Sequence, residues 1–454
     1  MSTPCEQTVA ITPKVANRNL DIVERVRTLR RALWARERRS PLYFTFSSLA
    51  VAFAQMLGGI IVVRYVLPQE LGLWQTANLA VTYSFFLLAG VHNGLSRELP
   101  FSLGADDSKT ASKLTGTSLL YTSAGCLTAL LGGIGTAVYL VIKHVGTEAV
   151  LAVIAVTLLI IFGFYRNYLV VTFRSKSSFF DLAHVQTKEA CLYLATIPLL
   201  YYLHYSGMLL RLVLVTLIGS WLMYRVRPMK VPLSWDTQSF KVLLGTGMPI
   251  FVMDYIRSCA STFDRVALLH FGGVKAVGYY SLALSTYSAF EVIPVSIAHY
   301  IYPRMSYEYG REKNGKVLWH LAWKVTLVLI AIMIPLAIAG WFVLPPIIKA
   351  LFPHYVEGTR AVQVMLLCGI CAGAAVGVNA LWSMKAWKGM VAYQGIFSVC
   401  LVVCPFVGAR LFASPMTGVA CGMLVARLLS AIAGTVITYA ATHGLWGDDR
   451  TDVA

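Results

Sequence analysis

Long apolar runs separated by short polar breaks fill this chain from Pro41 to His443. A helix that crosses a bilayer needs about 20 predominantly apolar residues. Charge-free gaps of that length predict spans near 42–65, 72–95, 114–142, 148–171, 183–204 and 206–224. A polar, proline-containing break follows, and further spans are predicted near 242–270, 277–301, 317–344, 359–384, 388–410 and 416–443. Only His204, Tyr205 and Ser206 separate the fifth span from the sixth. The pattern predicts an all-α polytopic membrane protein with about twelve transmembrane helices in two six-helix lobes. Residues 42–225 and 242–443 form the lobes, 226–241 the linker, and 1–41 and 444–454 the tails.

Composition agrees: 57% of residues are hydrophobic and 13% charged, where soluble domains carry about 25%. The net charge of +17 would suggest nucleic acid in a soluble protein, but its placement follows the membrane, so no nucleic-acid partner is expected. With the N-terminus inside, 28 Lys and Arg fall on the inner side, seven on or near the outer side and three within spans. That bias predicts both termini in the cytoplasm and no domain outside the membrane. Residues 1–40 lack the apolar core of a signal peptide. Ile22, Val26, Leu29 and Leu33 repeat at helical spacing among seven arginines, which fits either a helix on an anionic leaflet or a disordered basic tail. Cys368 and Cys371 spell CxxC inside an apolar run, where small interface residues are the better reading than redox chemistry or zinc.

The stretch from Gly245 to Phe271 is long and apolar enough to span, yet it holds Asp254, Arg257, Asp264 and Arg265. On one continuous helix these four fall within about 100° of arc. Each charge at a helix centre costs about 2.5–3.5 kcal/mol on the gentlest insertion scale. The stripe must therefore face protein or a watery cavity, either as a transport pathway or as structural ion pairs. Further charges lie in or beside spans: Arg64 at the outer end of the first, Arg97 where the second meets the cytoplasm, and Arg427 in the last. Arg64 is placed equally well as a headgroup anchor. With Asp254 and Asp264, Glu291 and His299 in the eighth span are the candidates for carrying a coupling proton or sodium ion. A carboxylate permanently paired with Arg would stay ionised and could not carry protons. No metal site and no cofactor beyond such an ion gradient is expected.

The halves echo each other. Shifted by 206 residues, Gly72 falls on Gly278, Trp74 on Tyr280, Ala77 on Ala283 and Gly104 on Gly310. Duplication of a six-helix unit leaves this pattern, and internal repeats are common in transporters.

The stretches VRYVLPQELGLWQTANLAV, GVHNGLSRELP, TGMPIFVMDYIRSCASTFDRVALLHFGGVKAVGYYSLAL, IPVSIAHYIYPRMS and IIKALFPHYVEGTRAVQVM resemble the polysaccharide-exporter, Wzx-like branch of the MATE and lipid-flippase (MOP) superfamily. They cover most of residues 44–380; the last two spans fit by hydropathy alone. The resemblance implies a MATE-like fold and a bacterial inner-membrane flippase for polyprenyl-diphosphate-linked oligosaccharides, serving O-antigen, capsule or exopolysaccharide synthesis by alternating access. It implies as partners the lipid-linked glycan, membrane lipid, a polysaccharide polymerase and chain-length machinery. Arg holds phosphate oxygens through bidentate hydrogen bonds. That makes Arg257 and Arg265 the leading diphosphate candidates, with Arg64 and Arg427 beside them, and Arg97 a gate or structural residue. The rivals are a MATE-type drug or cation antiporter, which an acid-dominated cavity would suit, and a membrane polymerase or ligase. The outer loops are short and hold no recognisable catalytic motif, which disfavours an enzyme.

Overall fold

The computed structural model describes residues 43, 46–48, 50–55, 57–312 and 314–445, with the backbone alone at 299, 300 and 303. The basic segment at 20–40 and the C-terminal tail from 446 lie outside them. No strand occurs among the described residues. That follows from the solvent, because in hydrocarbon every backbone N–H and C=O must be satisfied internally. The helices are α1 (Phe46–Tyr65), α2 (Pro68–Ser84), α3 (Val91–Gly104), α4 (Ser108–Ile142), α5 (Thr147–Ser175), α6 (Phe179–Ala195) and α7 (Pro198–Arg225). After the linker come α8 (Thr237–Ala260), α9 (Phe263–Glu312), α10 (Gly315–Leu351), α11 (Thr359–Ala374), α12 (Asn379–Met384), α13 (Trp387–Leu411) and α14 (Pro415–Thr442).

Among the described residues, nine helical runs are long and apolar enough to cross a membrane, or ten if the bent pair α2–α3 counts as one. The difference from twelve has three local causes. The expected fifth span is α6, which is short at 17 residues and carries Asp181, Lys188 and Glu189. The second bends by 53° between α2 and α3, where Ala89 and Gly90 both take positive φ. The seventh and eighth merge into one 62-residue apolar run, Thr237–Ala298.

That merged run is not one straight rod. The stretch expected as a single seventh span breaks at Ser261–Thr262, so Asp254 and Arg257 end α8 while Asp264 and Arg265 begin α9. A second break follows at Gly273, whose φ of 73° and ψ of −179° suit glycine alone.

The 206-residue offset recurs in the element starts. Pro68 falls on Val274, the residue after the Gly273 break, Ser108 on Asn314, the N-cap of α10, and Phe179 on Lys385, two residues before α13. Helices of the two halves meet along two glycine-lined seams. At one, α2 packs on α9 so closely that a Cβ on Gly72 would lie 1.9 Å from Val274 O, and one on Gly278 1.6 Å from Pro68 O. At the other, α3 packs on α8, with Gly94 against Leu243 O and Gly90 against Gly247. Small residues let helix backbones approach where no hydrophobic force drives them together. Polar bridges accompany the seams: Tyr355 Oη donates to Val66 O at 2.8 Å and Thr246 Oγ1 to Glu98 at 3.0 Å. At the end where the linker lies, Asp107, Asp236 and Asn314 cap α4, α8 and α10 by accepting backbone N–H groups.

Candidate functional site

The break at Ser261–Thr262 sorts the four expected charges into two environments. Asp254 and Arg257 form an ion pair at 3.6 Å on the last turns of α8, with side chains 56% and 54% exposed. Arg257 also sits where a helix C-terminus favours a cation. Asp264 opens α9 and is buried; its Oδ1 accepts the Arg265 backbone N–H at 2.7 Å. The expected continuous stripe is therefore two pairs on two helices, parted by the turn at Ser261–Thr262.

The second pair belongs to a larger cluster. Arg427, from the middle of α14, lies within electrostatic reach of both Asp264 and Glu291. Its guanidinium carbon stands 5.0 Å from the Tyr287 ring centre and 5.3 Å from that of Phe397. Such stacking stabilises a cation without neutralising it. Glu291 takes a hydrogen bond from Tyr287 Oη at 2.9 Å, one helical turn earlier. Among the described residues no carboxylate comes within ion-pair distance of Arg427, and its Nε is buried without a hydrogen-bond partner. Asp264 Oδ2 is in the same condition. So is Arg265 Nε, which stands 3.5 Å from Asp264 Oδ1 without hydrogen-bond geometry. Three unfilled polar atoms in one apolar bundle leave unmet demand for both a hydrogen-bond acceptor and a donor.

The other expected residues lie elsewhere. Arg64 is exposed in a cleft between α1 and the start of α7, with Tyr65, Tyr201 and Tyr202. Arg97 is exposed on α3. His299 falls in α9, with its side chain outside the described residues. Cys368 and Cys371 are buried on α11 as free thiols.

Three buried polar groups in the N-terminal half escaped the sequence reading. Arg166 of α5 forms a bidentate pair with Glu189 of α6, one arm at 2.7 Å. Arg211 of α7, 1% exposed, donates to Tyr193 O at 2.8 Å and to Thr196 Oγ1 at 3.2 Å. It satisfies the free carbonyl end of α6, which explains a buried cation without a carboxylate. His92 accepts from Asn167 Nδ2 at Nδ1 and donates from Nε2 to Thr122, whose hydroxyl in turn donates to Ser118 O. That chain closes only with His92 neutral and protonated at Nε2. Side-chain partners across helices carry no periodic signal in the sequence.

Residues 249–354 match the MatE family model. The architecture is similar to an inward-facing multidrug-resistance MATE transporter of the MOP superfamily, at TM-score 0.72 and 16% identity, over 87% of this chain and 95% of that one. The fold is MATE-like. It is also similar to the lipid II flippase MurJ in an inward closed conformation, at TM-score 0.68 and 14% identity, covering 87% and 86%. A Pyrococcus furiosus MOP transporter described as having reversed binding-pocket polarity aligns at TM-score 0.60 and 15% identity, covering 90% and 96%. Comparison with curated proteins gives no significant sequence match. The MATE-like fold makes this a multi-pass membrane protein. The matched segment takes in the end of α8, all of α9 and α10 and the start of the turn after them, and so includes Asp264, Arg265, Tyr287 and Glu291.

Proposed function

We propose that this protein is a flippase for a lipid-linked anionic saccharide of the polyprenyl-diphosphate-oligosaccharide class, working by alternating access in a bacterial inner membrane with both termini cytoplasmic. The observation that carries the reading is Arg427, a cation in the membrane interior held by two aromatic faces and, among the described residues, by no carboxylate in contact, with a buried N–H unused. A diphosphate supplies the acceptors and the charge that Arg427 and Arg265 lack. The polyprenyl tail stays in lipid, so only the head needs shelter. Asp264 competes with the cargo for Arg265. Protonating Asp264 would release that guanidinium, which makes Asp264 the leading coupling residue and Glu291 the second. Arg257 and Asp254, more than half exposed, serve as a guiding pair. Arg64 is an outer-end contact and Arg97 a structural or gating one. A polymerase and chain-length machinery would take the delivered glycan.

A MATE-type cation antiporter is the second reading. Asp264 Oδ2 supports it, since a buried carboxylate oxygen without a partner also suits an organic cation. Reconstituted protein distinguishes the two. The flippase reading expects transfer of a lipid-diphosphate oligosaccharide between leaflets of proteoliposomes, reduced at least tenfold by Arg427→Ala with folding intact. Cation–proton exchange without lipid transfer would install the antiporter in its place.

A further inference from the structure

At the linker end of the bundle, the first turns of α6 and the last turns of α7 enclose a cleft of about 160 Å³. Asp181, His184 and Lys188 line it from α6, and Trp221 and Arg225 from α7. Several basic residues near that end pair with carboxylates. Lys113 pairs with Asp236, Arg166 with Glu189, and Arg311 with Glu308 and Glu312. Lys188 and Arg225 have none within ion-pair distance among the described residues, and Asp181 is already partnered. The Arg225 guanidinium carbon lies 4.5 Å from the Trp221 ring centre. Stacking occupies the face of the guanidinium and leaves its edge donors for an oxyanion.

The level of the cleft is marked by aromatic side chains. Trp221 and Tyr224 are exposed, Tyr224 contacts Tyr165, and Arg227 stacks on Tyr224. Such residues collect at the membrane–water boundary. From the cleft an exposed apolar stripe, Trp221, Leu217 and Leu210, runs along one face of α7 toward the bilayer interior. A cationic cleft at headgroup depth with an apolar track leading inward matches a phospholipid better than a free anion.

We propose that the α6–α7 cleft binds the phosphate of an anionic phospholipid, of the phosphatidylglycerol class, with Lys188 and Arg225 holding the phosphate oxygens and the acyl chains lying along α7. This site is separate from the Arg427 cluster and does not depend on the cargo reading.

The test uses purified full-length protein in neutral detergent. Thermal midpoints are read with phosphatidylglycerol, with phosphatidylcholine and with inorganic phosphate at matched ionic strength, and native mass spectrometry counts bound lipid. The expected result is a rise of several degrees with phosphatidylglycerol alone, at least halved in Lys188→Gln/Arg225→Gln together with one fewer retained lipid. Lys188→Gln alone repeats the test if the double variant does not fold, and Lys349→Gln, at the opposite end, should leave the rise intact. An equal rise with phosphatidylcholine, or an unchanged rise in the variants, overturns the proposal. A full rise with inorganic phosphate reassigns the cleft to a free anion and overturns the lipid.

Discussion

Gly72 and Gly278 are equivalent positions of the two halves and face the same seam, each packed on a carbonyl of the other's helix. Gly72 meets Val274 O and Gly278 meets Pro68 O, and those two carbonyls are themselves 206 residues apart. A local two-fold axis passes between α2 and α9. A Cβ on Gly278 would stand 1.6 Å from backbone, which has no flexible end to yield. Gly278→Ala should therefore cost about 1–3 kcal/mol through forced backbone displacement and appear as a lowered melting midpoint. Gly59→Ala is the control, because nothing lies within 4 Å of its Cβ. It should be neutral or stabilising, as Ala is the better helix former by about 1 kcal/mol.

Arg427 is held by ring faces, and that geometry separates Arg from Lys. Arg427→Lys keeps the charge and loses the planar fork, so cargo transfer should fall nearly as far as in Arg427→Ala, by tenfold or more. Initial transfer rates in proteoliposomes, normalised to folded protein, measure it. Full activity in the Lys variant would mean that charge alone suffices.

Glu189 shares its pocket with Arg166, and a Cβ on the neighbouring Gly219 would collide with its carboxylate. Glu189→Gln leaves the partly buried Arg166 charge without its ionised partner and should destabilise by about 1–3 kcal/mol. Replacing both residues by Met removes the pair together and should cost less than either single change. Melting midpoints of the two single variants and the double variant decide the matter.

Asp236 lies in the linker and caps α8. The Ser239 hydroxyl and backbone N–H, which donate to its carboxylate, hold its pKa below the usual carboxylate value of 3.8, with a smaller contribution from Lys113. A depressed folded value means that the stabilisation is complete above the unfolded value and is lost as pH falls through the folded one. The melting midpoint of the wild type should accordingly drop faster than that of Asp236→Asn as pH is lowered below about 4. Parallel curves for the two proteins would show that the cap does not titrate in this way.

The helical class and the repeat were legible because both leave periodic marks: runs near 20 residues, and a fixed offset that brings Gly72 onto Gly278. The charged segment was found as well, since Asp264 and Arg265 stand out in an apolar run. Its geometry was not legible. Ser261 and Thr262 are ordinary residues in a helix, and the contact made at the turn, Thr262 Oγ1 to Tyr83 Oη at 2.8 Å, lies between residues far apart in the chain. The grouping of Asp264 with Arg427 likewise depends on tertiary neighbours more than 160 residues apart. Arg257 and Arg265 stand together as leading candidates on sequence grounds because a continuous helix would put them on one face, whereas the turn places them on different helices.

Shifted back by 206 residues, Asp264 and Arg265 become Gly58 and Gly59, and Glu291 becomes Phe85. The Gly72–Gly278 seam keeps a twofold plan, while the positions equivalent to Asp264, Arg265 and Glu291 carry no charge. A ligand bound at Asp264, Arg265 and Arg427, as proposed, would take its charged contacts from the C-terminal half alone.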